Sequence, residues 1–242
     1  MKNIRLFLLL QVITASAFAQ TSVNDQMYAV ASKQLASRNY EAAFPIYQML
    51  LKSDSANVGY MYGASQLYCR IGYRQATETA KQNYYKIGLR LAKKAVTLDD
   101  KNAEAHFAYA LALGRINENA GSKQKIANAK LIKREADRTI ELDPKHAGAW
   151  HLLGRWHREL ANLSALEKGM VNSFFGGMPT GATNEKAIEC FKTAISFETG
   201  YILHKYELAN TYYKMDDKVN ANVWLKDAMK CEQKTTDDKD GY

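Results

Sequence analysis

A histidine, an arginine and a glutamate follow one another in residues 154–177, which read GRWHRELANLSALEKGMVNSFFGG. His157 next to Glu159 is the pairing that general acid–base catalysis uses, and imidazole and carboxylate groups also bind metal ions. Arg158 lies between them in the sequence. The residue types of this segment are therefore compatible with an active site.

The spacing of these side chains argues against chemistry. On a helix, residues three and four apart share a face, so His151, Arg155 and Arg158 lie together and His157 lies on another face. The chain has five histidines and no H-E-x-x-H motif, and a metal site needs ligands that converge. A polar helix face is favoured over an active site. We predict no catalytic residue, no metal ligand, no cofactor and no enzymatic activity.

The elements that carry this segment belong to an internal repeat. Three segments end alike, with a helical pattern, an acidic stop and a new helix: Lys93–His106, Ala136–Trp150 and Phe191–His204. Pro144 enforces one stop, because proline cannot donate the hydrogen bond that continues a helix. Earlier and later copies occupy Asn39–Asn57 and Tyr201–Cys231. The pattern predicts an all-α solenoid of ten helices in five antiparallel pairs.

These repeats resemble the tetratricopeptide repeat (TPR), whose unit has 34 residues. The matching positions are Leu153-Gly154, Ala187, Phe191 and Ala194 in one copy, Leu208-Ala209, Tyr212, Ala221, Leu225 and Ala228 in the last, and Tyr40, Ala43, Tyr47 and Leu50 in the first. The small residues would let paired helices approach closely, and the large ones would fill the gaps between pairs.

The repeat units differ in length. Residues 24–57 form a unit of the standard length, whereas 58–102 and 103–146 carry about ten extra residues each, or about three helical turns. We predict that these residues lengthen both helices of their pairs. The fourth unit, 147–201, carries an insertion at 161–183, in which the amphipathic spacing at 164–175 predicts an additional helix.

A narrower resemblance covers residues 151–217. Leu153-Gly154-x-Trp156, the long insertion and then Phe175, Pro179, Ala182-Thr183, Glu185, Ala187, Phe191 and Ala194 resemble the regulator of microtubule dynamics family. The resemblance implies the fold, the inserted segment and a non-enzymatic interaction role. It does not imply contact with microtubules, because the N-terminus predicts export.

The first residues predict a bacterial-type secretory signal peptide at 1–19. Lys2 and Arg5 precede a short apolar run, and Ala17-Phe18-Ala19 offers a small-x-small cleavage site. The run is shorter than the ~18 residues of a membrane span. We expect an exported chain, periplasmic or secreted, with a repeat domain at 24–232 and a polar tail at 233–242. Retention of the signal as an anchor is the alternative.

The remaining composition limits the partners. Loss of Lys2 and Arg5 lowers the formal net charge from +8 to +6, spread along the chain rather than in the concentrated stripe that binds nucleic acid. No nucleic acid partner is predicted. Cys69, Cys190 and Cys231 are far apart, without the C-x-x-C spacing of a zinc ribbon.

The concave face carries the sharpest functional hypothesis. In TPR proteins the first helix of each pair lines this face, and its aligned positions here give basic, mixed polar and aromatic rows. Arginines beside aromatic residues suit a peptide with acidic side chains or a free carboxylate. The predicted peptide-binding residues are Tyr62, Arg70, Phe107, Arg115, His151, Arg155, Tyr206, Asn210 and Lys214.

Four alternatives remain open for this surface. The first is a solenoid surface that is only solvated, and the second is a groove filled by the insertion. The third is a small ligand bound between the insertion and His151, Arg155 and Arg158. Phe174-Phe175 and Lys168 would allow contact with a membrane surface, although membrane contact is not the favoured prediction.

Overall fold

The computed structural model describes residues 23–174, 179 and 181–233. The predicted signal peptide and almost all of the predicted tail lie outside the described residues. The described part of the chain forms eleven α-helices and no strand. Helix α1 comprises residues 23–36. The others are α2 (Tyr40–Ser53), α3 (Val58–Tyr73), α4 (Glu78–Leu98), α5 (Ala103–Asn117), α6 (Ser122–Leu142), α7 (Ala147–Ala161), α8 (Ala165–Phe174), α9 (Asn184–Phe197), α10 (Ile202–Lys214) and α11 (Lys218–Met229).

The helices pack as the repeat pattern predicts. Helix α3 packs on α4, α5 on α6, α7 on α9 and α10 on α11. The first pair is α1 with α2, where Ala31 of α1 shares a buried cluster with Ala43 and Tyr47 of α2. Successive pairs also contact each other, as α4 does α5 and α6 does α7. The predicted all-α TPR-like solenoid with five helix pairs is confirmed.

Helix α8 is the additional helix of the insertion. It begins after Ser164, whose backbone N–H and hydroxyl both bond to the Glu167 carboxylate, at 2.8 and 2.7 Å. The Glu167 N–H in turn donates to the Ser164 hydroxyl. This reciprocal capping satisfies donors that have no partner within the first helical turn, so the insertion starts a helix at the predicted place.

The extra residues of the second and third units require a correction. Helices α4 and α6 have 21 residues each, against 14 in α2 and α9. Their partners α3 and α5 have only 16 and 15. The second helix of each pair therefore takes most of the added length. In α4 the added turns include Tyr84, whose ring packs 5.6 Å from that of Tyr68 on α3, so aromatic contact holds the extension.

Helix α7 is fixed on both sides. Gly154 faces Phe191 of α9, where a Cβ would lie 2.8 Å from the phenyl ring. Trp156 is buried and donates its indole N–H to the Ala129 carbonyl of α6 at 2.8 Å. Arg158 pairs with Glu207 of α10, and both side chains are at least nine-tenths buried. These contacts fix the orientation of the helix that carries His151 and Arg155.

Three successive turns between helix pairs are stabilised by the same two kinds of hydrogen bond. An aspartate at the end of one helix accepts a hydrogen bond from the backbone N–H two residues later, and the residue before the next helix caps it through its side chain. The aspartates are Asp54, Asp99 and Asp143, and the capping residues are Asn57, Asn102 and His146. The turn between α9 and α10 differs, because Glu198 and Tyr201 occupy these positions and Tyr201 makes no capping hydrogen bond.

Candidate functional site

The concave side of the solenoid encloses a cavity of about 390 Å³, which we call the concave cavity. Side chains from α3, α5 and α7 form one wall, and the α1–α2 and α9–α10 turns form the other. Five of the predicted peptide-binding residues lie on its wall: Arg70, Phe107, Arg115, His151 and Arg155. The interval of about 40 residues between repeats thus places distant arginines around one space.

The other four predicted residues do not line the concave cavity. Tyr62 is partly buried, and its hydroxyl is 2.7 Å from that of Tyr28 on α1. Burial raises the pKa of Tyr62, and the hydrogen bond with Tyr28 raises it further. On α10, Tyr206 and Asn210 are partly buried and Lys214 is exposed. Tyr62 therefore joins two repeats, and the α10 residues remain a prediction for an outer part of the groove.

Three arginines give the concave cavity its positive character. The Arg115 guanidinium bonds to Glu118 at 3.0 Å, yet its Nε is buried without a hydrogen-bond partner among the described residues. Arg155 reaches Glu207 only at 3.5 Å. Arg70 lies 5.6 Å from the centre of the Tyr40 ring. The wall as a whole carries five basic and three acidic side chains, so its charge suits an anionic ligand.

The acidic side chains of the cavity are held by neighbours. Glu104 of α5 accepts a hydrogen bond from Gln66 at 2.8 Å and lies 3.4 Å from His146. Burial alone would raise the pKa of Glu104, but the hydrogen bonds and the charge of His146 outweigh burial and lower it. The Glu104 carboxylate is therefore charged and already hydrogen-bonded within the protein.

One contact closes the concave cavity across its open side. Arg38, in the α1–α2 turn, pairs with Glu198 of the α9–α10 turn, and its guanidinium lies 3.8 Å from the centre of the Tyr201 ring. We call these three residues the clasp. Burial alone would raise the pKa of Glu198, but the hydrogen bond from His204 and the charge of Arg38 lower it to about 2. The clasp therefore carries a charged pair at neutral pH.

Sequence reasoning missed all three clasp residues and His204. A signal was present, because Glu198 and Tyr201 replace the Asp and Asn or His of the earlier turns. Arg38 also has a left-handed backbone, with φ of 62°, at a position where glycine or asparagine is the usual choice. Departures from the internal repeat pattern would have pointed to these positions.

A histidine pair lies behind the clasp. His204 of α10 faces Glu198 through Nε2 at 3.2 Å and His151 of α7 through Nδ1, with the two Nδ1 atoms 2.9 Å apart. Both rings are buried, at 1% and 7% exposure. His151 was predicted as a groove residue, and the structure adds a partner that the sequence did not indicate.

The residues that first suggested chemistry lie elsewhere. His157 packs against Trp156, and burial together with Lys186 and Lys133 lowers its pKa to about 4. Glu159 pairs with Arg158 at 3.1 Å. Neither His157 nor Glu159 lines the concave cavity. Within the described ranges, no three His, Cys, Asp or Glu side chains converge as metal ligands would.

The insertion does not reach the concave cavity with any residue that the structure describes. Leu166 of α8 is exposed, and Lys168 donates to the Ala161 carbonyl at 3.1 Å. Phe175 and the glycines after it lie outside the described residues. No helix in the described ranges is both long enough and apolar enough to cross a bilayer.

The comparisons with known proteins agree with the fold. A model of the family described as regulator of microtubule dynamics protein 1-3 matches residues 25–241. The chain belongs to the regulator of microtubule dynamics family. Regulator of microtubule dynamics protein 1 of Bos taurus is 33% identical over 152 residues, which cover 62% of this chain and 48% of that protein. The same protein of Pongo abelii is 32% identical over 167 residues, which cover 69% and 52%.

This member of the family spans about half the length of the curated relatives it matches. Among solved structures, a thermophilic TPR protein of Thermus thermophilus superposes with a TM-score of 0.65 at 14% identity, over 89% of this chain and 95% of that one. The likeness supports the TPR fold. The family resemblance predicted from residues 151–217 is confirmed and extends over the earlier repeats.

Proposed function

We propose that this chain is a non-enzymatic interaction scaffold that binds an acidic segment of a peptide or protein in the concave cavity. The observation that carries the proposal is the convergence of Arg70, Arg115 and Arg155 on the concave cavity beside Phe107. Guanidinium groups bind carboxylates through charge-assisted hydrogen bonds, and an aromatic ring adds apolar contact.

The volume and the charge together favour this occupant. Pockets that enclose ligands measure about 300–1,000 Å³, so a cavity of about 390 Å³ has room for a few side chains rather than for a folded domain. The wall carries five basic and three acidic side chains, and guanidinium groups bind carboxylates through charge-assisted hydrogen bonds.

The family name supports an interaction role rather than a particular partner. The curated relatives are described as regulators of microtubule dynamics, but the predicted signal peptide at 1–19 would separate this chain from microtubules. We propose that the interaction scaffold is what the chain shares with them, and that its partner is a protein or peptide of the envelope or exterior.

Binding to an acidic probe tests the proposal. We expect Arg115→Gln with Arg155→Gln to weaken binding of fluorescein-labelled hexaglutamate at least about tenfold, because each charge-assisted hydrogen bond contributes about 1.5–3 kcal/mol. Fluorescence anisotropy at fixed ionic strength measures the affinity, and circular dichroism checks the fold.

The matched control removes the same charge outside the cavity. Lys192→Gln with Lys226→Gln changes two exposed lysines on α9 and α11 and should leave binding within about twofold, since exposed charges act weakly at physiological salt. Equal losses of affinity in both double variants would show that only net charge matters, and would reject the concave cavity as the binding site.

The export proposal has its own measurement. We propose that the chain is cleaved after Ala19 and released outside the cytoplasm. Expression of the full chain in a bacterial host, followed by cell fractionation and intact-mass analysis, should give a species that begins at Gln20 in the periplasm or medium. A full-length chain in the membrane fraction would show instead that residues 1–19 act as an anchor.

A further inference from the structure

A continuous series of contacts links the clasp to the wall of the concave cavity. Arg38 bonds to one carboxylate oxygen of Glu198, and His204 Nε2 meets the other at 3.2 Å. His204 Nδ1 then meets His151 Nδ1 at 2.9 Å. His151 lines the cavity, and no described residue forms a hydrogen bond with its Nε2. That nitrogen is the one available to a ligand.

The hydrogen positions of the neutral histidine pair follow from this arrangement. An ionised carboxylate only accepts, so His204 Nε2 carries a hydrogen and donates to Glu198. A neutral imidazole has one N–H, which leaves His204 Nδ1 as an acceptor. The short contact between the two Nδ1 atoms then requires His151 to donate from Nδ1. Nε2 of His151 consequently bears a lone pair and repels an anion.

One additional proton reverses the character of that nitrogen. If the proton resides on His151, both of its ring nitrogens donate. If it resides on His204, His204 donates from both nitrogens, and His151 accepts at Nδ1 and carries its own hydrogen on Nε2. In either arrangement Nε2 of His151 becomes a donor toward the cavity, so the proton belongs to the pair rather than to one ring.

The surroundings keep the histidine pair neutral while the cavity contains no anion. Burial lowers the pKa of His151 well below its ordinary value, and His204, Arg155, Arg70 and Arg158 lower it further. Burial also lowers the pKa of His204, although its hydrogen bond to Glu198 raises it.

Charged groups from several elements surround the histidine pair. The groups that face it are Arg38 and Tyr201 of the clasp with Glu198, Arg70 of α3, and Arg155 and Arg158 of α7. Helix α5 adds Glu104 and Arg115 at the cavity wall. The charges that act most strongly on His151 are cationic, although Glu207 pairs with Arg155 and Arg158 and offsets part of their charge. An entering carboxylate therefore favours the protonated pair.

We propose that His151 binds a carboxylate of the ligand through Nε2, as a donor that the His151–His204 pair acquires by taking up one proton when the ligand enters. The inference rests on the proposed function and names the residue and the proton that accompany binding. It makes acidic ligands bind more tightly as the pH falls, with His204 as the positioning residue and Glu198 as its anchor.

The pH dependence of binding tests the inference. The probes are hexaglutamate with an amidated C-terminus and tetra-alanine with a free C-terminus. Each carries a tetramethylrhodamine label, whose charge and emission do not change from pH 5.5 to 8.0, and is measured over that range at constant ionic strength. Both probe carboxylates stay ionised over this range. Uptake of one proton makes affinity rise by up to about tenfold per pH unit as the pH falls. The probe that shows this slope identifies the carboxylate as a side chain or a chain end.

His151→Gln should abolish the slope while the arginines retain weaker binding. The matched control is His157→Gln on the other face of α7, outside the cavity, which should keep the slope. ¹⁵N spectra of the imidazoles in the unaltered chain give a second measurement that needs no variant. Saturation with the bound probe at pH 7 should move His151 Nε2 from an unprotonated to a protonated resonance.

The outcomes separate the two proposals. Binding whose affinity does not change with pH, with His151 Nε2 unprotonated in the complex, overturns the role of the histidine pair and leaves the scaffold intact. A slope that persists in His151→Gln also overturns it, because another group then takes up the proton. Failure of both probes to bind at every pH overturns the proposed function together with the inference.

Discussion

At the scale of single residues, Gly154 is a position of the repeat pattern that also helps to place a residue of the candidate site. The glycine allows α7 to lie against the Phe191 ring of α9, and the next residue along the chain is Arg155 of the concave cavity. Gly114 of α5 also lies between a leucine and an arginine, but a Cβ there would meet no atom within 4 Å. The same local sequence therefore has different packing consequences in two repeats.

We expect Gly154→Ala to destabilise the chain by about 1–2 kcal/mol, because the overlap with a buried ring outweighs the gain in helix propensity. Gly114→Ala has only that gain and should stabilise the chain by about 0.5–1 kcal/mol. Urea denaturation with unchanged slope measures both differences. Equal effects of the two substitutions would mean that the Phe191 ring moves aside without cost.

At the scale of elements, the sequence predicted what depends on local pattern. Apolar periodicity and turn residues specified the helix pairs and the helix of the insertion, because both act within a few residues. The distribution of extra length between α3 and α4 was not predictable in this way. It depends on contacts such as Tyr68 with Tyr84, which form only after the two helices are antiparallel.

The turn between α9 and α10 illustrates a second limit. Three turns use Asp with Asn or His to satisfy their own backbone, whereas Glu198 and Tyr201 direct their side chains to Arg38. The substitution was visible in the sequence, but its target was not. A turn that gives up its local hydrogen bonds indicates that its side chains are used elsewhere, and only the fold shows where.

At the scale of the whole molecule, the clasp joins residues that are 160 positions apart. The curvature of a solenoid accumulates from small rotations between repeats, so the sequence alone could not show that the first repeat meets the turn after the fourth. The same curvature explains why Arg70, Arg115, His151 and Arg155 surround one space while Lys214 lies outside it. The sequence thus predicted the types of residue that line the candidate site, but only some of the individual residues.

The clasp predicts a specific pH dependence of stability. The pKa of Glu198 is lowered to about 2 in the folded chain, against about 4.3 in an unfolded one. A lowered pKa adds stability that is fully present above about pH 5 and is lost as the pH falls toward 2.

Unfolding free energies of the wild type and of Glu198→Gln, measured from pH 2 to 7, test this expectation. The difference between them should be constant near neutrality and should shrink as the pH falls from about 4.5 to 2. Arg38→Gln should show a similar but smaller decline, since His204 still donates to Glu198. A difference that does not vary with pH would contradict a charged clasp.

The clasp also changes how the helical repeats unfold. In an open repeat protein each unit contacts only its neighbours, so the ends fray and the middle persists. The contact between Arg38 and Glu198 closes residues 38–198 into a loop, so α2 and α9 at the two ends of that loop cannot move apart until the clasp opens. The entropy of closing so long a loop must be paid before the contact forms, so the clasp belongs to the last stage of folding. The helices from α2 to α9 are thereby brought into one cooperative unit, whereas α10 and α11 lie beyond it.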